Sequence, residues 1–185
     1  MSNSVTSSVI GKIKQNARFE DWWESSKVAV PLFNNEKHVI TLLDFHPEND
    51  PTFINETDQA LENFMKLTKE DRNAISDLVY ENCINHLNKS DYDEKDDYLR
   101  DIKNTNDVWN YVKAEEIYIS RRTQRDNDIY IQLVCNCDWE TKQGLQLVYK
   151  QGKKLTRISV NDGYLTDADA LDIADEKDVL LSQFA

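Results

Sequence analysis

Strand-like runs at both ends of the chain, separated by a helical middle, predict an α+β fold. No stretch is rich enough in Pro, Gly or Ser to act as a linker, and no internal repeat occurs. The expected architecture is a single domain over residues 1–185. Its mostly antiparallel sheet is formed by the N- and C-terminal strands, with the helices of the middle packed on one face.

Residues 1–8 are small and polar and are expected to be frayed. Short strand-like runs follow at 19–23, 27–33 and 38–45. Asn34 and Asn35 mark a tight turn, because Asn tolerates positive φ. Trp22 and Trp23 must point to opposite faces of a strand. Both are expected in the core, with a helix covering the second face; the other reading leaves one indole exposed as an interface anchor. Pro47 and Pro51 close this β region.

Residues 52–67 carry Leu61, Phe64 and Met65 at helical spacing. Thr68, with Asp71 three residues on, resembles a capping box and opens a second helix. On it Ile75, Leu78, Val79, Cys83 and Leu87 fall on one stripe. Residues 91–101 are acid-rich and form either a solvated loop or a short exposed helix. Thr105 or Asn106 is expected to cap another short helix through Trp109, Tyr111 and Val112.

Strands return at 117–121 and 129–137. In the second, Ile129, Ile131, Leu133, Cys135 and Cys137 alternate in the two-residue period of a half-buried antiparallel strand. Runs at 144–150 and 155–160 follow, with Gly152 in the turn between them and Asp162-Gly163 in another turn. The tail from Thr166, with Ala168, Ala170, Leu171, Ile173 and Ala174, reads as a helix.

A hydrophobic share of 39% supports a real core beneath a heavily charged surface. The net charge of −12 repels phosphate backbones, so no nucleic-acid partner is expected. It suits a basic protein partner, although solubility alone also explains it. The first residues lack the apolar core of a secretory signal, and the longest apolar runs are too short to cross a bilayer. Three cysteines, an odd number, argue for a reducing compartment. The expectation is a cytoplasmic protein with no membrane partner.

Catalytic motifs are largely excluded. The four glycines, Gly11, Gly144, Gly152 and Gly163, permit no Walker loop, dinucleotide fingerprint or nucleophile elbow. His38, His46 and His86 form no H-E-x-x-H, and the acids from Asp167 do not fit a calcium loop. Cys83, His86, Cys135 and Cys137 would complete a tetrahedral zinc site if helix and strand ends met. Core packing of the thiols is the stronger reading, so neither metal nor cofactor is expected. Arg121, Arg122 and Arg125 form a basic cluster that either clamps a phosphate or carboxylate, or solvates a hairpin tip; the tip is preferred. No catalytic residue is assigned, and the chain is not expected to be an enzyme.

Trp139-Glu140-Thr141-Lys142-Gln143-Gly144-Leu145-Gln146-Leu147-Val148 and the later Asp162-Gly163-Tyr164-Leu165-Thr166 carry a resemblance. Over about residues 115–172 the chain resembles an uncharacterised bacterial domain family with a W-[DE]-x-x-x-G-L-x-L-V block and a D-G-x-L-T block. That family often has an acidic residue and a histidine just before the glycine, where this chain has Lys142 and Gln143. Such domains look similar to small cytosolic proteins encoded beside bacterial toxins, including those of contact-dependent growth inhibition. The resemblance implies a non-catalytic immunity protein that neutralises a cognate toxin by occluding its active site. The partner-binding residues expected on charge and exposure are Tyr92, Asp93, Glu94, Asp96, Asp97 and Tyr98. The alternatives are a small enzyme assembled from scattered acids, histidines and Arg121/Arg122, and a structural or regulatory domain.

Overall fold

The computed structural model describes residues 3–183. Its N-terminal strands arise from polar sequence. β1 (Ser4–Ser7) and β2 (Gly11–Gln15) form an antiparallel hairpin with Val5 opposite Ile13. The frayed start expected over residues 1–8 is corrected for residues 3–8; residues 1 and 2 lie outside the described residues. A buried carboxylate orders the hairpin. Asp58, on helix α1 (Phe53–Phe64), accepts from the Ser7 hydroxyl, from the Ser8 N–H at 2.8 Å and from the Ser8 hydroxyl at 2.7 Å. Ile10 and Ile13 then drop into the core.

β3 (Trp23–Ser25) pairs with β2 and with β6 (Ile40–Leu42), whereas β4 (Val28–Val30) and β5 (Glu36–His38) make a separate hairpin. The runs expected at 19–23, 27–33 and 38–45 are thus shorter and interrupted. The Asn16 carboxamide oxygen accepts from the N–H groups of Arg18 and Phe19, which holds the residues before β3 in a turn. Pro31 ends β4 in a 3₁₀ turn, Pro31–Phe33, since its ring fixes φ and offers no N–H to a ladder. Asn34 and Asn35 take φ of 54° and 63°, the left-handed turn their side chains tolerate.

Asp71 accepts from the Thr68 N–H at 2.8 Å, the capping-box arrangement read from the sequence. The second helix is divided, however, into α2 (Lys69–Ala74) and α3 (Ser76–Leu87), with Ile75 at φ −103°. Val79, Cys83 and Leu87 are buried but Leu78 is exposed, so the apolar stripe is narrower than expected. Residues 91–101 form a 3₁₀ turn, Glu94–Asp96, and α4 (Asp97–Arg100). The next cap is Asn104 rather than Thr105 or Asn106; its side chain accepts from the Asn106 N–H, and Thr105–Tyr111 is a 3₁₀ helix.

β7 (Val112–Arg121), β8 (Ile129–Cys137), β9 (Leu145–Lys150) and β10 (Lys154–Val160) complete an eight-stranded sheet of order β1-β2-β3-β6-β7-β8-β9-β10. β6 and β7 are parallel, Ile40 opposite Ile117, and every other pair in this sheet is antiparallel. That parallel pair joins the two ends of the chain in one sheet. Ile131, Leu133, Leu147 and Tyr149 bury one face against α1 and α3, with the Phe64 and Tyr149 rings 5.9 Å apart. Trp139 is buried in the same cluster.

β8 is not half-buried as expected: Tyr130 and Gln132, on its other face, are buried too. The segment carrying α5 (Asp167–Leu171) and α6 (Val179–Ser182) covers that face. The Thr166 hydroxyl accepts from the Asp169 N–H at 3.0 Å and caps α5. The expected tail helix stops at Asp172, φ 50°, and the reversal returns Asp175 to Arg122 at 2.8 Å. No helix among the described residues is long and apolar enough to cross a membrane.

Candidate partner-binding surface

The six residues expected to bind a partner share one braced segment. Leu99, fully buried, pins it to the core. Asp93 accepts from the Lys95 N–H at 3.0 Å and so starts the 3₁₀ turn. The Tyr92 hydroxyl donates to both Asp97 oxygens at 2.8 Å, and the Arg100 guanidinium lies 5.7 Å from the Tyr92 ring. The Tyr98 hydroxyl donates to Asp138 at 2.9 Å, and its ring rests 5.2 Å from that of Tyr111.

Burial, then the Asp138 hydrogen bond, pushes the Tyr98 phenol up to about 12, so it remains a neutral donor. Tyr92 is nevertheless 68% exposed and Tyr98 45% exposed. Asp93 and Glu94 are exposed, while Asp96 and Asp97 are half-buried. The surface therefore presents two rings held in place among carboxylates. Asp138 is its unforeseen member, brought from β8's end by the fold.

The arginine cluster is not a solvated hairpin tip. Arg122 is buried and donates to Asp126, Asp169, Asp175 and Thr166 at 2.8–3.2 Å. Arg121 is held by Asp50 at 2.7 Å and Glu56 at 2.6 Å, and Arg125 by Asp175 at 3.2 Å. The carboxylates these arginines clamp belong to the chain itself, which spends the cluster on architecture. The tryptophan pair also departs from the preferred reading. Trp23 is buried and donates to the Phe45 carbonyl at 2.9 Å, but Trp22 remains half-exposed beside Phe19 and Tyr118.

Cys83, Cys135 and Cys137 are free and buried. Burial pushes the Cys83 thiol up to about 12 and the Cys137 thiol up to about 11. His86 lies 3.8 Å from Glu140, in a cavity of about 220 Å³ also lined by Arg157 and Asp162. The N–H groups of Lys142 and Gln143 hold the Glu140 carboxyl below its usual range. Among the described residues no group of three or more His, Cys, Asp or Glu side chains is placed to hold a metal ion.

Fold and surface together define an acidic α+β protein whose exposed chemistry at this face is carboxylate and phenol. The chain belongs to the family described as Domain of unknown function (DUF6985), whose model matches residues 9–165. The match takes in β2 to β6 as well as the C-terminal β region, starting well before residue 115 where the sequence resemblance begins. No curated protein and no solved structure matches the chain.

Proposed function

We propose that this chain is a non-catalytic binding protein for a basic protein domain, and that it serves as an immunity protein occluding the active site of a cognate bacterial toxin in the cytoplasm. The observation that carries the reading is the braced segment Tyr92–Tyr98. Exposed rings fixed by Asp97 and Asp138 lose little side-chain freedom on binding, which suits them as anchors. The carboxylates around them steer a basic surface and set its orientation. The net charge of −12 adds a long-range pull.

Residues 115–172 resemble an uncharacterised bacterial domain family, some members of which look like immunity proteins of toxin systems, and that suggests the biological setting. Replacing Asp93, Glu94, Asp96 and Asp97 together with Ser tests the surface. Association with the partner should slow while the fold is kept, because Asp93 and Glu94 are exposed, Asp96 and Asp97 are only half-buried, and buried Leu99 still pins the segment to the core. A variant that associates as fast as the parent would remove this segment from the interface.

A further inference from the structure

Arg72, on α2, is a buried cation that no carboxylate of the described residues contacts as an ion pair. It is 7% exposed, and its guanidinium sits 5.3 Å from the Trp109 ring centroid and 5.6 Å from that of Phe33. Its side chain donates no hydrogen bond to any described residue, and its buried Nε has no partner. Of the three arginines classed as buried, Arg122 and Arg157 are matched by carboxylates and Arg72 is not. A guanidinium presents five donors in a planar fork, and burying them unmatched is unfavourable unless something else accepts.

Arg72 lines a cavity of about 350 Å³, within the range of small-molecule pockets. Lys69, Asn73, Asn106 and Asn110 line it too, and their side chains make no hydrogen bond among the described residues. Glu36 and Asp107 also border the space and would repel a doubly charged anion. The cavity thus combines one buried fork donor, spare carboxamides and two aromatic rings.

We propose that this cavity binds a small organic carboxylate, gripped in two-pronged fashion by Arg72 between Phe33 and Trp109. Burial pulls the free guanidinium's pKa down, opposed by the Glu36 charge, and a bound carboxylate would offset that desolvation cost with charge-assisted hydrogen bonds. The site shares no lining residue with the Tyr92–Tyr98 segment and does not depend on the partner-binding reading.

The test is a titration of the ¹⁵N-labelled full chain with sodium benzoate, sodium acetate, inorganic phosphate and chloride at constant ionic strength. The signals followed are the Arg72 Nε–H and the Trp109 indole N–H. Both carboxylates should shift them saturably at millimolar concentration, benzoate more tightly, while phosphate and chloride leave them in place. Arg72→Lys should abolish the Trp109 response with the rest of the spectrum preserved. Should that variant not fold, Asn106→Ala, at an exposed position, should weaken benzoate binding severalfold. No saturable shift with either carboxylate would mean a water-filled cavity and would overturn the proposal. Equal shifts with phosphate or chloride would overturn it in favour of an unselective anion site.

Discussion

Replacing Arg122 with Met should detach the C-terminal segment from the sheet. Arg122 is 4% exposed and joins β7's end to Asp126, Asp169, Asp175 and Thr166. Removing one partner of a buried ion pair costs about 3–5 kcal/mol, because the opposite charge stays behind without compensation. Two features lower the figure here. Asp169 and Asp175 side chains are 21% and 33% exposed and keep Arg125 at 3.6 Å and 3.2 Å, so water and a second guanidinium offset part of the loss. Asp126 keeps the Lys150 ammonium at 2.9 Å and the Tyr130 hydroxyl at 2.7 Å. The expected loss is therefore about 3 kcal/mol, the lower end of that range. Urea unfolding followed by circular dichroism measures it. Hydrogen exchange should show residues 167–182 losing protection before β8. A loss below about 1 kcal/mol, with the tail still protected, would refute the view that this network fastens the second face.

Gly152 takes φ of 64° in the β9–β10 turn, and a Cβ there would run into the Ala60 carbonyl of α1. Gly152→Ala should cost about 2–4 kcal/mol, combining the left-handed penalty with displacement of the helix, whereas a melting temperature equal to the parent's would contradict the contact. Asp175 and Glu56 are held below their usual carboxyl range, chiefly by hydrogen bonds from Arg122 and Arg121. Their stabilisation is present above the unfolded carboxyl pKa and is lost as pH falls through the depressed folded values. Asp167, raised by burial, works in the opposite sense. Unfolding free energy should accordingly drop on acidification below the ordinary carboxyl range, and less steeply in Arg121→Met, where Glu56 has lost its partner. The thiols of Cys83 and Cys137, pushed to about 12 and 11, should ignore an aromatic disulfide reagent at mildly alkaline pH in the folded protein. All three cysteines should react at once in denaturant, and fast labelling of the native chain would show that the core is open.

Local chemistry was the legible part of the sequence. Asn34-Asn35, the Thr68/Asp71 cap, the Thr166 cap and the alternating apolar residues of β8 each act through neighbours in the chain, so spacing alone exposes them. The misread features depend on distant partners. Ser4–Ser7 looked frayed because its ordering carboxylate, Asp58, lies some fifty residues away. Arg122 looked solvated because the local acids gave no sign that Asp169 and Asp175 would return to it. Gln132 and Tyr130 looked outward-facing because polar atoms usually mark a wet face. Here their polar groups are satisfied by Gln146 and Asp126 beneath the C-terminal segment. At the candidate surface, the acids and rings were visible in sequence, but their bracing by Asp138 was not. Arg72 gave no sequence signal, since an arginine in a short polar helix normally faces water.

The most direct test of the partner-binding account is the association rate with any toxin domain found encoded beside this chain's own gene, measured across salt concentrations. It is compared between the parent and the variant carrying Ser at 93, 94, 96 and 97. The parent should associate rapidly at low salt and slow steeply as salt rises, with dissociation changing far less. The variant should associate about tenfold more slowly, with a shallower salt dependence, and should still unfold in one cooperative transition. Equal rates for the two proteins would contradict the assigned surface. Absence of any binding or protection by the parent would contradict the immunity reading itself.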